Sequence, residues 1–279
     1  MRKIVFIADL FASEVRGGGE LNNEEFINIA KKKSHSVEKI NSHLVTEGFL
    51  DKNKESFFIV ANFINLSNGL RKYISDKLSY VIYEHDHKYI SNRNPAEFEN
   101  FIAPREMIVN YDFYSNAKAV FCQSKFHSDI VRKNLSLDNI ISLGGNIWSE
   151  ESLDLMKSFS KKKKKDRCSI MYSDTPHKNT REAILFCKYK EMDYEIIQPA
   201  PYHEFLDKLS NNDKLVFFPK TPETLSRIVV EAKMMGMTTL TNKIVGAASE
   251  EWFSLKGGQL IEQMKKKRQT ITQTVLNFI

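Results

Sequence analysis

Two glutamates near the C-terminal end are candidates for chemistry because of the whole run of residues around them, since neither carboxylate nor their spacing is informative alone. Glu223 and Glu231 stand eight positions apart in the run PETLSRIVVEAKMMG, which follows the apolar stretch LVFFP (Leu215–Pro219). A short apolar run, a turn and then an amphipathic segment predict a strand, a turn and a helix. This prediction places Glu223 at the helix N-terminus and Glu231 two turns further along. Their carboxylates can accept hydrogen bonds from the hydroxyl groups of a ligand.

A run of glycines follows the first predicted strand. IVFIAD (Ile4–Asp9) reads as a buried strand, and Gly17, Gly18 and Gly19 form a loop before a helical segment. Glycines let the backbone approach a ligand closely, and the amides at a helix N-terminus attract anions. The loop is therefore a candidate phosphate contact, although three glycines by themselves also suit a simple turn.

Two histidines follow the third predicted strand, in YEHDHKYI. On an extended strand His85 and His87 face the same side, with Asp86 opposite. This spacing permits three interpretations: a metal site completed by a distant carboxylate, polar residues at a strand end, or a histidine in a binding cleft. We favour the cleft histidine, and the spacing alone leaves His85 and His87 both open.

The elements that must position these residues fall into two series. Short apolar runs alternate with amphipathic segments before and after a lysine run, Lys161–Lys165. Such alternation predicts parallel sheets covered by helices on both faces. The lysine run favours a solvated linker, with an anionic membrane or a nucleic acid as the alternative contact. We expect an N-terminal Rossmann-like domain over residues 1–157 and a C-terminal one with a final helix over residues 158–279.

Composition describes a folded, basic chain of 279 residues with a net charge of +6. The charge favours an anionic partner such as a nucleotide, a charged acceptor or a lipid surface. Cys122, Cys168 and Cys187 form no paired motif, and no apolar run has the length of a membrane span. These features suggest a cytoplasmic protein, with peripheral contact at the inner membrane face as an option.

Taken together, the segments resemble one enzyme family. Gly17–Glu20 resembles a GGxE segment, YSDTPHKNTREAI resembles a GRLxxxKG segment that places Lys178 on its lysine, and Glu223 with Glu231 resembles a Glu-x7-Glu signature. All three patterns are typical of the retaining GT-B glycosyltransferases of family 4, also called glycosyl transferases group 1, which this chain therefore resembles. The resemblance spans about residues 3–250.

The resemblance implies an α/β protein of GT-B architecture, with two Rossmann-like domains facing a central cleft. Such a protein moves a hexose-type sugar from a nucleotide-diphosphate donor, most often a UDP- or GDP-sugar, to a glycan, lipid or small molecule. It implies catalytic roles for His85, Lys178 and Glu223, with His87 as the reserve for His85. The residues implied in donor binding are Gly18, Gly19, Lys178, Tyr202, Glu223, Thr224, Leu225, Ser226, Arg227 and Glu231.

The sequence departs from the family pattern at two places. Ser173 stands where an arginine is usual, so one cation for the diphosphate is missing, and Leu225-Ser226 replace a common Phe-Gly. Arg227 is the first candidate to compensate, before His177 and Arg181. The missing cation keeps open a second function, a sugar-nucleotide-binding protein without turnover.

The remaining expectations concern metals and nucleic acids. The sequence has no DxD motif of a metal–nucleotide site and no phosphate-binding P-loop. We therefore expect transfer without a metal or a further cofactor. The basic charge keeps a glycosyltransferase acting on nucleic acid as another alternative.

Overall fold

The computed structural model describes residues 2–279 and divides them into two compact units. Unit 1 comprises the chain up to Ile147 together with Arg268–Ile279, and unit 2 comprises Trp148–Lys267. The boundary expected between residues 157 and 158 falls inside a helix of unit 2, Glu150–Ser160. The tail expected in the second domain returns to unit 1 from Arg268 onward.

Unit 1 is built on a six-stranded parallel sheet in the order β2-β1-β3-β4-β5-β6. Its strands are β1 (Ile4–Ala8), β2 (Val37–Asn41), β3 (Phe57–Val60), β4 (Ser79–Tyr83), β5 (Val120–Cys122) and β6 (Ile140–Ser142). Its helices up to Ile147 are α1 (Gly18–Lys32), α2 (Glu47–Lys52), α3 (Asn68–Lys77), α4 (Tyr111–Ser115) and α5 (Lys125–Leu135).

The central strands of unit 1 are apolar throughout because both faces of the sheet are covered. Along β1, Val5 and Ile7 pack in one apolar cluster, whereas Ile4 and Phe6 pack in the cluster on the other face. All four side chains are fully buried. This arrangement is the two-sided burial that a continuous apolar strand predicts.

Residues 22–47 have helix-like spacing in the sequence, but they do not form one helix. Helix α1 ends at Lys32, and β2 follows as an edge strand that pairs only with β1. The sequence of β2 is VEKIN, and its side chains are half-buried or exposed. An edge strand of this kind has no apolar run, so its sequence does not distinguish it from an exposed helix.

Unit 2 is built on a four-stranded parallel sheet in the order β10-β9-β7-β8. Its strands are β7 (Lys165–Met171), β8 (Tyr194–Ile197), β9 (Asn212–Phe217) and β10 (Thr238–Thr241). Its helices are α6 (Glu150–Ser160), α7 (Thr180–Tyr189), α8 (Tyr202–Leu209) and α9 (Arg227–Met234), and α10 (Gly257–Leu276) begins in unit 2.

The lysine run is part of the folded structure and not an extended linker. Lys162 forms an ion pair of 2.5 Å with Asp207, and the Nζ of Lys164 donates to the carbonyl oxygens of Phe159 and Ser210. The run also connects directly to β7, which begins at Lys165. Local carboxylates and carbonyl groups therefore compensate two of these charges, which composition alone could not reveal.

The last helix, α10, buries the apolar residues of the C-terminal tail in unit 1. Its residues Ile271 and Val275 are buried in the same cluster of unit 1 as Phe26 of α1. Arg268 also forms an ion pair of 2.5 Å with Glu25 on α1. No helix within residues 2–279 is long and apolar enough to cross a lipid bilayer.

Candidate functional site

The topology of the second sheet identifies the place where a ligand can bind. From β7 the chain adds β8 on one side and then places β9 on the other side of β7. Strand order thus reverses between β7 and β9, and open parallel sheets bind ligands beyond the carboxyl ends of the strands at this reversal. The two loops that flank it are residues 172–179 and 218–226.

Backbone and amide hydrogen bonds tie these two loops together. The amide of Lys220 donates to the carbonyl oxygen of His177 at 2.8 Å, and the Nδ2 of Asn179 donates to the carbonyl oxygen of Phe218 at 3.0 Å. The Nδ2 of Asn242, just beyond β10, donates to the carbonyl oxygen of Pro219 at 2.7 Å. Three loops therefore form one connected rim at the carboxyl edge of the sheet.

The rim brings together two residues that the sequence singled out separately. The Nζ of Lys178 donates to the Oε1 of Glu223 at 2.6 Å. The side chain of Lys178 is 35% exposed and that of Glu223 is 14% exposed. A cation and a carboxylate are therefore held side by side at the strand-order reversal, with the cation accessible to a ligand.

The position of Glu223 differs from the prediction, because it does not open the helix. Helix α9 begins at Arg227, and Glu223 forms a parallel β-bridge with Val245. Its amide donates to Ile244 at 2.9 Å, and its carbonyl oxygen accepts from Gly246 at 2.8 Å. The bridge fixes the backbone of Glu223 more firmly than the frayed start of a helix would.

The residues between Glu223 and α9 lead into the helix through a left-handed turn. Leu225 is fully buried, and its carbonyl oxygen accepts from Ala247 at 2.9 Å. Ser226 has φ +73° and is 6% exposed, and its Oγ has no hydrogen-bond partner within residues 2–279. Thr224 is half-buried. Contact of the amides of Thr224, Leu225 and Ser226 with phosphate stays a prediction.

Glu231 lies at the centre of a buried polar cluster in unit 2. Its Oε1 accepts from the Nε1 of Trp148 at 2.9 Å and from the hydroxyl of Tyr202 at 2.8 Å. The Nε of Arg227 lies 3.5 Å from the same oxygen, and the side chain of Glu231 is 5% exposed. The three donors fix the orientation of this carboxylate.

The side chains around Glu231 also have fixed positions. The guanidinium of Arg227 lies 4.4 Å from the centroid of the Trp148 ring, and its side chain is 10% exposed. Burial and the neighbouring Glu231 raise the pKa of Tyr202, which therefore stays a hydroxyl donor. Trp148 was not identified from the sequence, because 83 residues separate it from Glu231.

Ser173, which stands where the family has an arginine, has a local role in the loop. Its Oγ accepts from the amide of Thr175 at 3.2 Å, and its own amide donates to the Oγ1 of Thr180 at 3.1 Å. These bonds shape the turn that precedes Lys178. They supply no positive charge.

In unit 1, His85 lies in a polar network just beyond the end of β4. Its Nε2 is 2.6 Å from the Oδ1 of Asn23, its Nδ1 is hydrogen-bonded to the Nε2 of Gln123, and its ring stacks on Tyr83 at 4.9 Å. Because an amide nitrogen only donates, Nδ1 is the acceptor and Nε2 carries the proton. Asn23 and Gln123 thus fix the tautomer of His85, and no motif had indicated them.

The glycine loop lies beside this histidine. Helix α1 begins at Gly18, and a methyl group added to Gly19 would stand 3.5 Å from the Cγ of His85. The glycine segment and the strand-end histidine, which are distant in sequence, are therefore neighbours at the carboxyl edge of the first sheet. Burial, with the nearby Asp9, raises the pKa of Glu20 in the first turn of α1.

His87 and His85 have different partners, and the two do not lie on one extended strand. Strand β4 ends at Tyr83, so the alternation of an extended strand does not continue through this segment. The Nδ1 of His87 bonds to the hydroxyl of Tyr89 at 2.9 Å, and its ring packs edge-on against His127 at 5.1 Å. Over residues 2–279, no group of three or more histidines, cysteines or carboxylates could hold a metal ion.

Unit 1 also contains a cavity of about 740 Å³ that no motif had indicated. Aromatic residues, amides and charged groups mix in its lining, which includes Phe63, Arg71, Lys88, Asn110, Tyr111 and Asp112. A cavity of this size accommodates a small molecule, and mixed linings suit ligands with hydroxyl groups on an apolar frame.

The chain is similar to known proteins in structure but not in sequence. No protein-family model matches the chain, and no curated protein matches it. Among solved structures, sucrose-phosphate synthase from Thermosynechococcus elongatus aligns with a TM-score of 0.63 at 8% identity, covering 99% of this chain and 98% of that one.

Two further solved structures are similar over nearly the whole chain. HepE from Anabaena, in complex with UDP and glucose, aligns with a TM-score of 0.56 at 12% identity, covering 98% of this chain and 91% of that one. An α-glucosyltransferase in complex with UDP and a 13-mer DNA containing an HMU base aligns with a TM-score of 0.54 at 10% identity, covering 98% and 94%. With its two parallel sheets, the chain therefore has the GT-B fold, as predicted from the sequence. Membership of family 4 stays a prediction.

Proposed function

We propose that this protein is a retaining glycosyltransferase that moves a hexose-type sugar from a nucleotide-diphosphate donor to an acceptor hydroxyl. The observation that carries the proposal is the pairing of Lys178 with Glu223 at the strand-order reversal of the second sheet. A cation beside a fixed carboxylate is the combination that a phosphorylated sugar requires. One group attracts the phosphate, and the other accepts hydrogen bonds from sugar hydroxyls.

Under this proposal the donor binds to unit 2 through three groups of residues. Lys178 holds the diphosphate, and the amides of Thr224, Leu225 and Ser226 add donors before α9. Glu223 accepts hydrogen bonds from the sugar. The Oε1 of Glu231 already receives donors from Trp148 and Tyr202, which leaves its Oε2 to accept from the ribose hydroxyls.

The transfer step needs no nucleophile from the protein. The acceptor oxygen attacks the anomeric carbon from the face that the diphosphate leaves, and the bond between that carbon and the phosphate oxygen breaks. Its electron pair goes to the phosphate oxygen, which takes the proton of the acceptor hydroxyl. The products are a glycoside of unchanged anomeric configuration and a nucleoside diphosphate. Positive charge near the leaving phosphate lowers the barrier because negative charge accumulates there.

His85 is proposed to hydrogen-bond the transferred sugar, which is the role that the resemblance implies for it. The bonds to Asn23 and Gln123 orient its ring. Gly18 and Gly19 keep the backbone beside it free of side chains. The cavity in unit 1 is our candidate for acceptor binding, and its mixed lining favours a glycan or another polyhydroxylated molecule over a purely apolar lipid.

UDP is the first nucleotide to test, because the HepE and α-glucosyltransferase structures were determined with UDP. Thermal shifts with UDP, GDP and ADP should identify the base, since a ligand that binds the folded state raises its melting temperature. The matching sugar nucleotides and an acceptor panel, with and without a chelator of divalent ions, then test turnover and metal independence.

Lys178→Ala and Glu223→Ala test the assignments directly. We expect each to lower kcat/KM by about 100-fold or more, the usual cost of removing one electrostatic contact to the transition state. Lys208→Ala is the matched control, because Lys208 pairs with Glu204 on the exposed side of α8. Full activity in both site variants would contradict the proposal. Nucleotide binding without product for any acceptor would favour a binding protein without turnover.

Sugar transfer to a nucleic acid is the second candidate. It is favoured by the similarity to an α-glucosyltransferase whose structure contains DNA and by the net charge of +6. DNA retention that weakens steeply with salt, together with sugar incorporation into the DNA, would support it. Lys162 and Lys164 have local partners, so less of the lysine run is available to contact a nucleic acid.

A further inference from the structure

The charge balance at the strand-order reversal is incomplete for a diphosphate. The positive charge of Lys178 is compensated by Glu223, whose Oε1 lies 2.6 Å from its Nζ. A nucleoside diphosphate brings several negative charges, so this neutral pair by itself gives little net attraction. If the donor binds here, as the proposed function requires, a second cation at the same place would supply the missing net attraction.

The first candidate for that cation, Arg227, has its charge engaged elsewhere. Its guanidinium lies over the ring of Trp148 at 4.4 Å, and its Nε is 3.5 Å from Glu231. The side chain is 10% exposed. Moving it to a phosphate would separate a buried ion pair, which is costly.

Lys220 meets the requirements that Arg227 does not. It stands three residues after the end of β9, on the opposite side of the reversal from Lys178, and its amide donates to the carbonyl oxygen of His177 at 2.8 Å. This bond places the backbone of Lys220 next to that of the residue preceding Lys178. The Lys220 side chain is exposed, and within residues 2–279 it forms no ion pair.

We propose that Lys220 is the second cation of the donor site and that it holds the diphosphate together with Lys178. The two lysines come from the two loops that flank the reversal, so a diphosphate lying between these loops meets one cation from each side. Lys178 can then share its charge between phosphate and Glu223, whereas the uncompensated charge of Lys220 supplies the net attraction. During transfer the same charge stabilises the departing diphosphate.

The test compares Lys220→Gln with Lys188→Gln by titration calorimetry. Lys188 is an exposed lysine near the end of α7, which starts at the carboxyl edge of the sheet and runs back toward the amino edge. The two variants lose the same charge at opposite edges. The probe is whichever of UDP, GDP and ADP gives wild-type protein the largest thermal shift, and the corresponding nucleoside is titrated beside it.

We expect Lys220→Gln to weaken binding of the diphosphate by about tenfold, the loss of one charge-assisted contact at a solvent-accessible site. Binding of the nucleoside should be unchanged, Lys188→Gln should bind like wild type, and Lys220→Arg should retain most of the affinity. The salt dependence of binding should also decrease in Lys220→Gln. Circular dichroism melts verify that each variant is folded.

Two failures can be told apart. A wild-type protein that binds none of the three nucleoside diphosphates overturns the proposed function and this inference with it. A wild-type protein that binds one of them, with equal affinities in Lys220→Gln and Lys188→Gln, overturns the role of Lys220 and leaves the proposed function standing. An equal loss of nucleoside and diphosphate binding in Lys220→Gln also overturns it, because it indicates a general distortion of the site.

Discussion

Unit 1 should lose stability in mild acid because it buries a neutral imidazole. His87 is 2% exposed, and burial, with the nearby charge of Lys88, lowers its pKa to about 3 from 6.5. The groups packed against it include Tyr89 and His127, and the pKa of His127 is lowered too, chiefly by burial. Protonation of His87 in the folded state is therefore strongly disfavoured.

The sign and size of the effect follow from these values. Below about pH 6.5 the unfolded chain takes up a proton at His87 that the folded chain does not, so the free energy of unfolding falls as the pH falls. A pKa difference of one unit corresponds to about 1.4 kcal/mol. Because of His87 alone, the free energy of unfolding should therefore fall by about 2 kcal/mol between pH 6.5 and pH 5. The loss should continue down to about pH 3.

Urea denaturation is measured at pH 7, 6 and 5. Pulsed hydrogen exchange of peptides from β3 to β5 reports the unfolding of unit 1, and the labelling pulse is kept at one fixed pH. Both tryptophans, Trp148 and Trp252, belong to unit 2, so their fluorescence follows that unit in the same samples. His87→Gln should remove about 2 kcal/mol of the pH dependence of unit 1. His43→Gln, which changes an exposed histidine of unit 1, should leave it unchanged. An identical pH slope in wild type and His87→Gln would refute the reasoning.

Two further predictions concern unit 2, and tryptophan fluorescence during urea unfolding measures both. Ser226→Gly should raise the free energy of unfolding by about 0.5–1 kcal/mol, because glycine adopts the φ of +73° without the steric penalty of a side chain; a decrease would show that the serine is not strained. Trp148→Phe should lower it by about 1–3 kcal/mol, because the buried carboxylate of Glu231 loses the donor at 2.9 Å while Phe keeps an aromatic face for Arg227; an unchanged stability, read from Trp252, would count against this bond.

The buried strands could be predicted from the sequence, and the edge of the first sheet could not. A strand such as β1 has an apolar sequence because both of its faces are covered, so its signal is local. Strand β2 is half-exposed and pairs on one side only, so its stabilising partner, β1, lies outside its own sequence. Helix α6 buries Leu153 and Met156, and the lysine run that follows it does not by itself indicate this packing.

The residues of the candidate site could be predicted one at a time, and their partners could not. His85, Lys178 and Glu223 each stand near a strand end, which is a local property. The groups that orient them come from distant segments: Asn23 is 62 residues from His85, and Trp148 is 83 residues from Glu231. Such contacts depend on the order of strands in the sheet, which local patterns do not specify.

The two glutamates that stand eight positions apart also turn out to have different environments. Glu223 is held by its backbone in a bridge with Val245, so its side chain remains free to exchange Lys178 for a ligand. Glu231 is held by its side chain, with three donors on one oxygen, so it cannot turn without breaking the cluster around Trp148. Under the proposed function, the first is therefore suited to exchange its lysine for a substrate hydroxyl, and the second to hold a nucleotide in a fixed position. If the proposed function holds, a change at Glu223 should act mainly on turnover, whereas a change at Glu231 should lower the stability of unit 2 as well as the nucleotide affinity.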